Sequence, residues 1–185
     1  MPPRVTFVTS NPNKLSEVRA LLAPFDLTVR GLRRTLPEPQ ADRLETVVAS
    51  KLDALPGGDG YYAVEDSGIF FEGLDGFPGV YSAYAYRTLG LSRLLRLLGR
   101  GDRTATFRTV AGLKHGRRRW ICPGVVRGRI ADRPRGSGGF GYDPIFIPEG
   151  EDRTFAEMPA EEKNRRSHRG RAFRRLARRL LTETG

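Results

Sequence analysis

Apolar and polar positions alternate in several distinct rhythms along this chain, and each rhythm predicts an element. "RVTFVTS", residues 4–10, is a β-branched run that ends in the turn "NPN" and reads as a short strand. Behind it, Leu15, Val18, Leu21 and Leu22 fall on one face of a helix. "LTVRGL" reads as a second short strand. In "ADRLETVVASKLDAL", Leu44, Val47, Val48, Leu52 and Leu55 recur at helical spacing, and "PGG" stops the helix. "YYAVEDSGIFFEGL" reads as a strand, a sharp turn at Asp66-Ser67-Gly68, and a second strand. "LSRLLRLLG" is a short helix, and "RTATFRTVAGLKHGRRRWICPGVVRGRIA" an antiparallel pair turning near "HGRR". The closing "EEKNRRSHRGRAFRRLARRLL" is helical, with Phe173, Leu176, Ala177, Leu180 and Leu181 in a buried stripe.

Helices interleaved with strands, then a β-rich middle and a last helix, predict an α/β fold around a mixed sheet. No internal repeat, low-complexity linker or break in composition divides the chain, so residues 1–185 are expected to form one domain. "PRGSGGFGYDP" is a loop inside that domain. A chain of 185 residues, 38% apolar, is long enough for a proper core. No apolar run approaches the ~18 residues of a membrane span, and the N-terminal stretch lacks the pattern of a secretory signal. A single cysteine, Cys122, excludes an internal disulfide framework and suits a buried position in a reducing compartment. These features predict a soluble, cytoplasmic protein.

The net charge of +11 changes that picture in one respect, because it admits a polyanionic partner. Of 32 basic residues only four are lysines (Lys14, Lys51, Lys114 and Lys163), and arginine crowds the last twenty positions. Such a bias follows from genome composition or heat adaptation as readily as from a ligand. The arginines are spread along the chain and the last helix keeps an apolar stripe for its own domain, which argues against a nucleic-acid footprint.

Four stretches carry candidate chemistry. "TSNPNK", Thr9, Ser10, Asn11, Pro12, Asn13 and Lys14, joins a strand to a helix; unpaired N–H groups and short polar side chains there suit phosphate oxygens, or equally a plain helix cap. It is not a P-loop, which needs two glycines and Gly-Lys-Ser/Thr. Glu65 and Asp66 are adjacent, so their side chains point to opposite faces. Asp66 is the better candidate for a pocket, and Glu38 in "LPEPQAD" is a possible second carboxylate for a hard cation such as Mg²⁺. "EEKNRRSHRGRA" gathers Lys163, Ser167, His168 and Arg169, although a lone histidine in a basic run is normally exposed and inert. "GGFGYDPIF" has a phosphate loop's glycines but brings Phe140, Gly141, Tyr142 and Asp143 instead of lysine. An aromatic face and an acceptor suit a heterocycle better than a phosphate; the plainer alternative puts Phe140 and Tyr142 in the core.

In this order, "TSNPNK", "EDSG" with "GFPGVYSAY", "GGFGYDPIF" and "TFAEMPAEEKNRRSHRGRA" resemble the inosine triphosphate pyrophosphatase family, the noncanonical purine nucleoside triphosphate pyrophosphatases, and look most like its archaeal members. The likeness spans roughly residues 4 to 181. It implies an elongated mixed central β-sheet with flanking helices, two lobes around a nucleotide-binding cleft, and a homodimer. It implies Mg²⁺-dependent hydrolysis of a nucleoside triphosphate to monophosphate and pyrophosphate. Carried over by position, Thr9 to Lys14 hold the triphosphate, Asp66 binds metal and acts as general base, and Glu38 is a second metal ligand. Ser67 touches substrate. Phe140, Gly141, Tyr142 and Asp143 line the nucleoside pocket, with Phe140 on the purine, while Lys163, His168 and Arg169 read the base edge. Lys51 falls near a helix lysine found in bacterial members but not in the archaeal ones, and is held as a possible further site residue without an assigned role.

Cationic donors favour the 6-oxo group of hypoxanthine and xanthine and mismatch the amino group of adenine; polar mismatch of this kind discriminates by ~10⁴. Guanine shares the 6-oxo group and has to be excluded at position 2. Two other readings stand beside this one. A basic nucleic-acid-binding module would shift a duplex salt-sensitively without hydrolysis, and a sister enzyme for canonical or modified pyrimidine nucleotides would show in a substrate panel.

Overall fold

The computed structural model describes residues 3–184. Among the described residues the strands are β1 (Arg4–Val8), β2 (Thr28–Leu32), β3 (Tyr61–Phe71), β4 (Pro78–Gly79), β5 (Thr104–His115), β6 (Arg118–Ile130) and β7 (Phe146–Pro148). The α-helices are α1 (Pro12–Leu22), α2 (Leu44–Asp53), α3 (Ser82–Leu98), α4 (Ala160–Arg166) and α5 (His168–Thr184). The strands make one mixed sheet in the order β2-β1-β3-β5-β6-β7, with β4 paired to β3. β1 runs parallel to β2 and to β3, whereas β4 is antiparallel to β3 and β7 to β6. This is the α/β class with the mixed sheet that the residue pattern predicts.

The chain divides into two compact units. The first is Met1–Asp66, Thr109–Gly124 and Arg169–Gly185; the second is Ser67–Arg108 and Val125–His168. β3, β5 and β6 each pass from one unit into the other along the chain.

In the first unit Val5 and Phe7 of β1, Ala63 of β3, Ala111 and Leu113 of β5 and Cys122 of β6 share a core with α1 and α5. α5 contributes Ala172, Phe173, Leu176, Ala177 and Leu180, all fully buried, and Phe173 meets the Phe7 ring edge-on at 5.6 Å. Burying such a side chain contributes roughly 1.5–3 kcal/mol, which is why this arginine-rich helix docks on its own unit. Leu181, expected in the stripe, is 38% exposed, so the stripe ends one position earlier.

In the second unit Ile69 and Phe71 of β3 pack with Ala85, Leu94 and Leu98 of α3, Phe107 of β5, and Tyr142, Phe146 and Phe155. Two expectations are corrected here. There is no turn at Asp66-Ser67-Gly68, because β3 continues through them to Phe71. Gly68 serves close approach instead: a Cβ on it would lie 2.3 Å from the Gly79 carbonyl oxygen, where β4 pairs with β3. The short helix expected from Leu91 starts at Ser82 and carries a break at Gly90, whose φ of 68° no helix accommodates.

Candidate active site

In the first unit the loop before α1 is built as a cap. Asn11, with extended backbone, accepts from Asn13 N at 2.9 Å and Lys14 N at 3.2 Å through its side chain, and Pro12 fills the first helical turn. Thr9 Oγ1 accepts from Asn11 N at 3.1 Å. Ser10, Pro12 and Asn13 are exposed, and Lys14 is half-buried. The helix-start amides of Asn13 and Lys14 are therefore occupied by Asn11, and the Lys14 ammonium and the short side chains of the loop are what remain to meet an anion.

Strand alternation sends Glu65 and Asp66 to different partners. Glu65 is buried and pairs with Lys14 and with Arg169 Nε, the latter at 3.2 Å. Arg169 Nη1 reaches Glu17 of α1 at 2.7 Å. Burial alone would lower the Arg169 pKa, but Glu65 and Glu17 outweigh it and hold the guanidinium firmly charged. On the other side Asp66 Oδ1 lies 2.7 Å from Lys51 Nζ, and Glu38 Oε1 lies 2.8 Å from the same nitrogen. Burial would also lower the Lys51 pKa, yet Asp66 and Glu38 raise it above its ordinary value. Asp66 is itself pushed up, chiefly by burial, against the pull of Lys51 and Lys14. Two carboxylates thus converge on one cationic point. Glu38 is largely exposed on its loop and Asp66 is not, so the site opens to solvent on the Glu38 side.

The glycine loop lies in the second unit. Asp143 Oδ2 accepts from Phe140 N at 2.7 Å and from Lys163 Nζ at 2.5 Å, with Asp143 and Lys163 both buried. Gly139, at φ 67°, has no alternative, since a Cβ there would stand 2.1 Å from Asp143 Oδ2. Gly141 has φ 64°. Phe140 is half-buried, with Lys163 Nζ 5.0 Å from its ring centroid. Tyr142 is buried in the core; its hydroxyl donates to Ser82 O at 2.8 Å, and burial pushes its pKa well up. Ser67 is half-buried in β3.

His168 corrects the expectation of an exposed histidine. It is 1% exposed and stacks on Phe107 at 3.8 Å with the rings 9° from parallel. Ser167, with extended backbone, separates α4 from α5 and turns the chain between Lys163 and His168.

A family model described as the Ham1 family matches residues 5–179. The chain belongs to the Ham1 family. It is 53% identical over 176 residues to a dITP/XTP pyrophosphatase of Thermococcus kodakarensis, covering 94% of this chain and 95% of that one. A dITP/XTP pyrophosphatase of Pyrococcus horikoshii is 48% identical over 173 residues, 92% of this chain and 93% of its own. Among solved structures, the Staphylococcus aureus Ham1 protein matches with a TM-score of 0.82 at 30% identity, over 97% of this chain and 99% of that one. A HAM1 protein from Coxiella burnetii matches with a TM-score of 0.78 at 31% identity, over 98% and 99%.

Within this Ham1 chain the structure gathers Lys14, Asp66, Glu38 and Arg169 in the first unit, and Phe140, Asp143, Lys163 and His168 in the second. Residue-level reading passed over three partners: Lys51, Glu65 and Glu17. Lys51 had a visible signal, since it occupies a position of the α2 stripe between Val48 and Leu52 where an apolar residue belongs. Glu17 stands one turn after Lys14 on α1.

The chemistry of the Asp66–Glu38 pair fits a hard divalent cation: oxygen donors, two carboxylates, and a convergence point that already accommodates positive charge. Among the described residues no group of three or more His, Cys, Asp or Glu side chains gathers to hold a metal. A cation here would therefore depend on water and substrate phosphates for its remaining ligands, which is the habit of Mg²⁺.

Proposed function

We propose that this protein hydrolyses noncanonical purine nucleoside triphosphates, dITP, ITP and XTP, to the monophosphate and pyrophosphate with the help of Mg²⁺. The observation that carries the chemistry is the meeting of Asp66 and Glu38 on the Lys51 ammonium, at 2.7 and 2.8 Å. The substrate class rests on the relatives named dITP/XTP pyrophosphatase, which cover nearly the whole chain.

Asp66 and Glu38 would hold the metal, which would offset the charge of the triphosphate and help to activate water. Asp66 accepts the proton of the attacking water; burial pushes its carboxyl up from the ordinary carboxylate range. The water oxygen bonds to the α-phosphorus, the α–β bridging P–O bond breaks, and pyrophosphate leaves with the electron pair. The proton passes from Asp66 to solvent. Lys51 holds the two carboxylates together. Lys14, with Thr9, Ser10, Asn11, Pro12 and Asn13, faces the phosphates.

The base is read by the other set. Phe140 supplies a stacking face, Gly141 and Asp143 shape the loop, Ser67 contributes a hydroxyl, and Tyr142 backs the loop from the core. Lys163 brings a cationic donor to the 6-oxo edge alongside His168, and an amino group at that position would leave it mismatched. Buried polar mismatch can discriminate by ~10⁴. We further assign the working form as a homodimer in the cytoplasm. Among the described residues no helix is long and apolar enough to cross a membrane.

Hydrolysis of dITP in oxygen-18 water, with Mg²⁺ and with the metal chelated, tests the chemistry. Label in the monophosphate is expected, with release stopped by chelation and restored by Mg²⁺. Label in pyrophosphate, or release of orthophosphate, would contradict attack at the α-phosphorus.

A further inference from the structure

Lys114 is a buried charge that the proposed chemistry leaves unused. It lies near the end of β5, 7% exposed. Its ammonium donates to the Leu55 carbonyl at 2.6 Å and the Leu52 carbonyl at 3.1 Å. Leu52 lies in the last turn of α2 and Leu55 two residues past its end, with Leu52 O also accepting from Leu55 N at 3.3 Å, so the ammonium bridges the acceptors where the helix runs out. No glycine closes this helix; its C-cap is Ala54 in a right-handed conformation. Water is no ready substitute, because Leu52 and Leu55 are buried. A cation at this end also meets the negative pole of the helix. Gly112, two positions earlier on β5, lets α2 come close. A methyl group on it would stand 2.7 Å from Val48 Cγ1 and 3.0 Å from Leu52 Cδ1. The helical turn that Lys114 ties down is the one that carries Lys51, next in sequence to Leu52.

We propose that Lys114 is a positioning residue for the active site: it fixes the last turn of α2 and so holds the Lys51 ammonium on Asp66 and Glu38. The inference rests on the pyrophosphatase reading and gives it a lever in β5, away from the carboxylates themselves. A displacement of about 1 Å in a positioned group can cost about 10²-fold in rate, so a frayed turn is enough to be felt.

The test is a double-mutant cycle in kcat and KM for dITP with Mg²⁺, using Lys114→Met, Lys51→Met and the double variant. Lys114→Met is expected to lower kcat about tenfold with KM changed less than about twofold. Lys114→Gln, which keeps a neutral donor, is expected to lose less. In the Lys51→Met background, adding Lys114→Met is expected to cost less than about twofold, since the group being positioned is gone. Equal fractional losses in both backgrounds would make Lys114 merely structural and overturn the proposal, as would an unchanged kcat. Amide hydrogen exchange over residues 48–55 gives a reading independent of turnover: Lys114→Met should speed it about tenfold or more, and an unchanged rate overturns the proposal. Where Lys114→Met does not fold, Lys114→Gln serves in the same cycle. A wild-type protein that releases no pyrophosphate from dITP would sink the function and this inference together, whereas an active wild type with equal losses sinks the inference alone.

Discussion

Replacing Lys163 by methionine would leave Asp143 as a carboxylate inside the second unit without the ammonium that now lies 2.5 Å away. Removing one partner of a buried pair typically costs about 3–5 kcal/mol, because the remaining charge is left uncompensated. Here the lower end is expected, about 3 kcal/mol, since the Phe140 amide still donates to Asp143 Oδ2 at 2.7 Å. With about 2.1 cal/mol/K of unfolding entropy per residue, about 3 kcal/mol in a chain of 185 residues lowers Tm by about 8 °C. Urea unfolding and a thermal melt measure both figures. Lys163→Met combined with Asp143→Leu should recover about half of the loss, the remainder being the hydrogen bond to Asp143 that the Phe140 amide gives up. A single-variant loss under about 1 kcal/mol would mean that the pair behaves like an exposed one, and the reasoning fails. A double variant as unstable as the single would show that the orphaned carboxylate is not the cause.

Asp66→Asn should lower turnover of dITP by about 10²–10⁴-fold while the circular dichroism and melt stay near wild type; activity close to wild type removes Asp66 from the mechanism. Gly68→Ala should destabilise by about 1–3 kcal/mol in urea, because its Cβ would stand 2.3 Å from the Gly79 carbonyl oxygen and the backbone has to shift; a loss below about 0.5 kcal/mol contradicts the close approach of β4. Burial pushes the Cys122 thiol up despite the nearby Arg179 and Arg175, so a thiol reagent should modify the folded protein about tenfold or more slowly than the denatured chain; equal rates would contradict its place in the core.

The parts of the fold that were legible in the sequence are those fixed by local periodicity. The α5 stripe at Phe173, Leu176, Ala177 and Leu180 and the strand–turn–strand around Gly116 are set by spacing within one element. The misreadings have non-local causes. "DSG" has the composition of a turn, but Gly68 is small because another strand crosses it. "YSAYAYRT" shows no apolar stripe because Tyr81, Tyr84 and Tyr86 are exposed, so the first turns of α3 were silent. The site was legible as motifs and not as pairings. Nothing beside His168 in the chain announces the ring of Phe107, and nothing beside Asp66 announces Lys51. A lysine in the α2 stripe was the one local sign that a buried charge needed a partner.

The most direct test of the whole account is kcat/KM for pyrophosphate release with Mg²⁺ from dITP, ITP and XTP beside ATP, GTP and dTTP. The account predicts preference for the first three, by up to ~10⁴ over ATP. Equal turnover of all six would contradict the base-reading role of Lys163 and His168, and no release from any would contradict the proposed function itself.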